Sequence, residues 1–484
     1  MAGRDPASTF EPPRRLPLAA PAPPRAGSTL ALPGSFQPRI LYTEARATVT
    51  IRREGGSIRP PILVEESGCR IGGLADERAY VAVIDDPDDG TLGRFAKMVG
   101  AEAAPLDSGD TPELAERALS WTGPIAAGMD RWEKISIGDG ERIVDARWEA
   151  RVDLASVRVA RRACAPLPAA PDEGPEAATR SQDRSLLEVR LHLKVERAGR
   201  CVDVESARWA DPGQRASEAA LAAMEGLWPE ALVTAGALFD GVSLPSLEGP
   251  VVFSPAAAGV LIHEVCGHLL EGDLVRAGHS PFSGMTGRKI APEGITLHDD
   301  PLRPGARVDL RVDDQGEGTR LTPLIESGRL VGFLTDRRNA AALGILSSGN
   351  ARRESYRHAA MPRMTNLVMA PGTDDPAEML RGVGRGLYVE RLGRGQVDPR
   401  LGRFRLEVEC GRLIESGRAT RPVHGGYLVG GCLDLLEAID AVGSDQQVDP
   451  GAGVCIKEDQ IVPVGQVFPS LRVSKLRILP GAAS

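Results

Sequence analysis

Ser254-Pro255, followed by the almost unbroken apolar run from 256 to 270, leaves this chain little conformational choice. A serine at the N-cap and a proline at the first helical position start a helix there. Apolar residues all round that helix require burial on every side. Into the same segment are set His263, Glu264 and His268, with Glu271 and Asp273 just beyond. Desolvating these groups is costly unless a cation binds them or they satisfy one another in a dense network. The reading taken here is a central helix that carries a metal site, with a mutually hydrogen-bonded polar network as the competing one.

In a helical His-Glu-x-x-His pair the two imidazoles share one face and bind zinc while the glutamate works on water. Here the string is His263-Glu264-Val265-Cys266-Gly267-His268, one residue longer. At about 100° per residue, an ideal α-helix places residue i+5 roughly 140° from residue i, and the rings would diverge. Convergence therefore predicts a π-type widening between His263 and His268, with Gly267 as the permissive position.

A catalytic zinc usually takes three protein ligands, so a third must be found. Glu271, Asp273 and the cysteines are the candidates. Cys266 makes a poor angle with both histidines on one helix. Cys455 sits in Pro450-Gly-Ala-Gly-Val-Cys-Ile-Lys, where the backbone can approach closely and a thiolate would suit zinc beside two imidazoles. A buried, unliganded cysteine accounts for Cys455 equally well at this point.

Composition narrows the class. The chain has 484 residues, 42% of them hydrophobic, and a formal net charge of −8. It shows no basic block and no basic-aromatic interleaving, which argues against a nucleic-acid partner. Arginine outnumbers lysine 52 to 6, and biased codon usage explains this as well as phosphate binding does. No apolar run is long enough to span a bilayer. The proline-rich N-terminus lacks the continuous apolar core of a signal peptide, so a cytoplasmic location is expected. Seven irregularly spaced cysteines argue for reduced thiols rather than a disulfide framework.

Periodicity predicts an α+β protein of two domains with largely antiparallel sheets, the metal-bearing helix opening the C-terminal one. Residues 1–36, with eight prolines, read as a disordered extension. Residues 37–240 form an α+β domain of alternating strands, with a helix from Thr111-Pro112, an exposed loop at about 165–185, and a second helix from about Arg215 that stops at Trp228 before Pro229. Residues 241–484 form a β-rich domain. Two hairpins there share the turn Ile-Glu-Ser-Gly-Arg, at 325–329 and 414–418, with glycine where a positive φ is needed. Short helices are expected at 376–385 and 432–442.

The string from His263 to Asp273 resembles the signature of the TldD branch of the TldD/PmbA (TldD/TldE) zinc metallopeptidases. The similarity extends through Val312-Asp-Asp-Gln-Gly316, the long string from Gly349 to Asn366, Gly395-Gln-Val-Asp398, Arg421-Pro-Val, and 450–473. This resemblance implies that His263, His268 and Cys455 bind one zinc ion per active subunit and that Glu264 is the general base. It also implies a dimer, formed with a second copy or with a metal-free TldE-type relative. Two positions depart from the pattern: Gln315 stands where a glutamate is expected, and Ile456 where a glycine is expected after the ligand cysteine. Arg353, Tyr356 and His358 are candidate substrate contacts, against the plainer reading that they pack within the sheet.

Together these expectations describe a zinc metallopeptidase acting on unfolded or modified precursor peptides. The alternatives are a zinc-dependent enzyme that hydrolyses other amides while tailoring a peptide-derived metabolite, and a non-enzymatic, metal-stabilised scaffold for a catalytic partner.

Overall fold

The computed structural model describes residues 37–481, apart from 55–56, 76–77, most of 87–109, 131–140, 162–177, 211–215 and 452. The proline-rich extension lies outside the described residues, as does the larger part of the expected loop at 165–185. The architecture is α+β with mostly antiparallel sheets.

The N-terminal half is one antiparallel sheet of long strands in the order Arg78–Asp85, Ile62–Ala75, Gln37–Glu54, Glu141–Arg161, Ala178–Arg197, Arg200–Ala210. Strand Glu141–Arg161 is long enough to be covered on opposite faces at its two ends. Trp148, Ala150, Val152 and Leu154 face a core completed by the helices Asp110–Ser120, Thr122–Asp130 and Ala216–Asp240. Two-residue periodicity then turns Val157 and Val159 to the other face, where they pack with Tyr42 and with Tyr356 from the C-terminal half.

Two sequence expectations change here. Residues 178–185 are strand, paired in register with Leu154 to Arg161 of the preceding strand. They read as loop because they are polar, and their polar groups are used against the C-terminal half. Gln182 donates to the Asp309 carbonyl and accepts from the Arg311 N–H, and Arg184 meets Asp314 at 2.7 Å. The helix expected to stop at Trp228 runs on to Asp240 with Pro229 inside it. Proline removes one backbone donor and crowds the preceding turn. Burial on both sides of it, by Met224, Leu227 and Trp228 and then by Ala231 and Ala235, outweighs that cost.

Beyond Asp240 the chain enters different sheets. One runs in the order Arg385–Asp398, Leu247–Phe253, Leu471–Leu479, Tyr427–Gly431, Arg403–Glu415, Arg418–His424, Val242–Ser243. Because Arg385–Asp398 also pairs with Arg403–Glu415, five of these strands close on themselves. A six-stranded sheet is built around Leu297–Asp299, Asn366–Met369 and Gly465–Phe468, and two separate two-stranded hairpins complete the set. Both Ser-Gly turns adopt positive φ at both residues, Ser327 (47°) and Gly328 (75°), Ser416 (50°) and Gly417 (75°). That conformation matches the twist of a two-residue hairpin. The short helices end earlier than expected, at Arg381 and Glu437, and Ile439–Val442 is strand.

The helix Pro255–Ile262 lies between the closed sheet and the six-stranded sheet. Ser254 caps it, its Oγ accepting from the Ala257 N–H at 3.2 Å and donating to the Glu390 carbonyl at 2.8 Å. Leu261, Ile262, Val265, Leu269 and Leu270 are fully buried in a core shared with Leu367, Leu406, Leu428 and Val462. Each such side chain contributes on the order of 1.5–3 kcal/mol, enough in sum to bury polar groups in the same segment.

In the N-terminal half, the Trp228 ring stacks on Trp148 with centroids 6.1 Å apart. Trp228→Ala should destabilise the protein by about 3–5 kcal/mol. Urea unfolding followed by circular dichroism measures this, and a loss below about 1 kcal/mol would contradict the packing described.

Candidate metal centre

At His263 the helix changes pitch. Residues His263–Gly267 form a π-helix, and the His268 N–H donates to the His263 carbonyl five residues back. His268–Leu270 then tightens into a 3₁₀ turn. The widened turn expected from the spacing is present. It brings the two imidazoles to a centroid separation of 4.9 Å with their planes 87° apart. Gly267 is needed for space as well as for backbone freedom: a Cβ there would lie 2.2 Å from Met364 Sδ.

The third candidate donor arrives from far along the chain. Cys455 stands on the hairpin formed by Val454–Lys457 and Gln460–Pro463, and its sulfur lies 3.5 Å from His268 Nε2. One donor atom each from His263, His268 and Cys455 lies within 4.8 Å of the others. His263 and Cys455 are buried and His268 nearly so.

Electrostatics favour a thiolate here. Burial alone would push the Cys455 thiol up, but the His268 and His263 rings beside it bring it down to about 5. Burial would likewise depress the His268 ring, yet the Cys455 sulfur and the Glu271 carboxylate hold it well above the ordinary histidine range. A metal ion and that ring proton compete for one nitrogen, so metal uptake should release a proton. These residues fit zinc on two grounds: two imidazoles and a soft thiolate are a zinc donor set, and His263 Nδ1 is buried without a hydrogen-bond partner.

The remaining candidates are placed differently. Glu271 is fully buried, with Oε2 3.4 Å from His268 Nδ1 and 2.7 Å from Lys457 Nζ. Burial would raise its carboxyl, but Lys457 and His268 draw it down to about 2. Asp273 meets Lys457 as well, at 2.8 Å. Both acids thus lie outside the candidate triad and meet Lys457. Cys266 is buried in the π turn and stands apart from the triad. Glu264 is half-buried, its side chain lying against Gly395, where an added Cβ would approach the carboxyl carbon to 3.4 Å.

Arg353, Tyr356 and His358 are not brought to the donor triad. Arg353 lies 4.2 Å over the Tyr42 ring and donates to the Asp314 and His358 carbonyls at 2.9 and 3.3 Å. The Tyr356 N–H donates to Glu44 Oε2 at 2.8 Å and its hydroxyl meets Asp85. His358 Nδ1 lies 3.0 Å from Ser355 Oγ. Arg353 and Tyr356 belong to the junction between the halves, and His358 is tied to Ser355 and Arg353 next to it. Of the departures from pattern, Gln315 donates to Asp336 at 3.4 Å and Ile456 points outward, largely exposed.

The model of the PmbA/TldA metallopeptidase C-terminal domain matches residues 246–479. Residues 246–479, just under half of the chain, are thus similar to that family's C-terminal domain. A metalloprotease TldD homologue of Haemophilus influenzae is 38% identical over 239 residues, 49% of this chain and 50% of that protein. A zinc metalloprotease TldD homologue of Saccharolobus solfataricus is 31% identical over 232 residues, 48% of this chain and 51% of that one. The chain thus matches about half the length of these curated relatives. The fold likeness is wider: TldE from Thermococcus kodakarensis superposes with a TM-score of 0.67 over 92% of this chain and 97% of that one, at 18% identity.

Sequence reasoning missed Arg363 and Lys457. Arg363 is fully buried, its Nε 3.4 Å from Cys455 Sγ and its other nitrogens on the Cys455 and Gln460 carbonyls. Lys457 carried a usable signal. It is one of six lysines in a chain with 52 arginines, two residues after the candidate ligand.

Gly267→Ala should cost about 1–3 kcal/mol through overpacking against Met364. Thermal unfolding of the purified variant measures it, and an unchanged melting temperature would show that the π turn has room to spare.

Proposed function

We propose that this chain is a zinc-dependent metallopeptidase hydrolysing peptide bonds of unfolded or modified precursor peptides, with His263, His268 and Cys455 holding the metal and Glu264 as general base. The observation that carries the reading is the convergence of two imidazoles and a thiol from segments 187 residues apart, within an apolar core that would otherwise exclude them. Relatives named metalloproteases support it, one of them named for zinc.

A zinc ion held by these three residues supplies Lewis acidity toward a scissile carbonyl and toward water. Glu264 lies in the same widened turn as His263, next to it in the chain, and its side chain packs against Gly395. In this role its carboxylate takes a proton from the attacking water and returns it to the departing amine nitrogen. Glu271 receives the Nδ1 side of His268, leaving Nε2 toward Cys455. Such a carboxylate fixes the tautomer and orientation of a ligating ring. An extended peptide fits this reading because it can add as a strand to an open sheet edge. Arg353 and Tyr356 then contribute by holding the two halves together rather than by touching the scissile bond. A partner subunit, either a second copy or a metal-free relative, completes the proposal.

Glu264→Gln should retain one zinc per chain and lose about 10²–10⁴-fold in kcat on a peptide library. Turnover near that of the parent would favour a scaffold role with Glu264 idle. Cys455→Ser should lose most of its zinc, as read by elemental analysis after dialysis against a weak chelator. Unchanged zinc content would remove Cys455 from the ligand set.

A further inference from the structure

The hairpin carrying Cys455 pairs with no other strand among the described residues. Its outward side chains Val454, Ile456 and Ile461 are exposed, so little apolar contact holds that face. A lone two-stranded hairpin is marginal in water. The inner face of this one, with Cys455 and Val462, is buried in the core, and side-chain ties from two directions fix the position of the sulfur further.

Arg363 grips the hairpin through the Cys455 and Gln460 carbonyls, and Glu354 accepts from the Ile461 N–H at 2.8 Å. These ties link it to the polar string around residues 354–363. Lys457 makes a different link. Two residues after Cys455 in the same strand, it points to the same side as the sulfur. Its Nζ lies 2.7 Å from Glu271 and 2.8 Å from Asp273, and 3.4 Å from the Pro362 carbonyl. Glu271 and Asp273 belong to the segment that directly follows His268, and Glu271 also meets His268 Nδ1. A single ammonium thus joins the strand of one donor to the helix of another.

We propose that Lys457 is a positioning residue of the metal centre: by bridging Glu271 and Asp273 it docks the Cys455 hairpin onto the His268 segment and keeps the His268 ring turned with Nε2 toward the sulfur. The proposal rests on the metal-centre reading above. The choice of residue supports it, because a compact ammonium with three donors fits between two carboxylates and a carbonyl, whereas a planar guanidinium fork needs more room. Removing the ammonium leaves a fully buried carboxylate without its cation, and Glu271 would have to swing away from His268 to regain water.

The test uses the full-length protein, stripped of metal, with zinc affinity measured by competition against a chromophoric chelator and cobalt binding followed by its thiolate charge-transfer band. K457M should bind zinc about 10–100-fold more weakly, the usual effect of losing an outer-shell partner. It should also show a weakened charge-transfer band while its far-ultraviolet circular dichroism stays that of the parent. K457R should recover part of the affinity, and D273N should lose less than K457M. Zinc affinity of K457M within about twofold of the parent, with C455S strongly impaired, overturns the proposal. Should C455S also bind like the parent, the metal-centre reading fails instead. If K457M does not fold, D273N decides: weakened binding supports the bridge, and unchanged binding overturns it.

Discussion

One backbone hydrogen bond, from the His268 N–H to the His263 carbonyl, sets the geometry on which the centre depends. With regular α-helical bonding, the two rings would point roughly 140° apart and no third residue could serve both. The extra residue in the turn removes that divergence. A π turn has weaker intrinsic support than an α turn, and the core supplies the difference. Gly267 lies against Met364, Val265 and Leu269 are sealed from water, and two sheets close over the helix from either side. The local distortion is stable because everything around it is close-packed.

Around that turn, charge is managed in layers. The sulfur of Cys455 faces His268 and is backed by the buried Arg363 guanidinium, while the far side of the His268 ring faces Glu271, which is in turn neutralised by Lys457. Each buried charge therefore has an opposite neighbour, the condition under which such groups are tolerated in an interior. The long polar string from Gly349 to Asn366 plays a related part at larger scale. Asn350 and Thr365 hold Asp299, Arg353 holds Asp314, and Tyr356 reaches into the N-terminal sheet to Glu44 and Asp85. Its specificity as a sequence pattern comes from holding the framework together as much as from chemistry at the donors.

The fold was legible where local rules act alone. Ser254-Pro255 started a helix as its capping chemistry required, the two Ser-Gly turns took the positive φ values that a tight hairpin needs, and the five-residue histidine spacing called for the π turn that is present. Legibility failed where distant burial reversed a local preference. Pro229 did not end its helix because apolar residues on both sides of it are buried against the sheet, and 178–185 formed a strand because its polar side chains had partners more than a hundred residues away. At the centre, His263, Glu264 and His268 announced themselves by being polar in an apolar run. Arg363 gave no such contrast, lying in polar surroundings where a cation is unremarkable, and Lys457 stood out only as a lysine in an arginine-rich chain.

By itself the sequence determined that a buried helix would carry two histidines and a glutamate, and that its turn would widen, because capping, periodicity and the cost of burying charge act within a few residues. Only the tertiary structure decided that Cys455 meets those histidines, that Glu271 turns to His268 rather than joining the donors, and that Lys457 ties the two segments together. Those outcomes depend on how a hairpin 187 residues further along docks onto the helix. No local preference encodes that docking; it follows from the packing of whole sheets and from pairing every charge they bury.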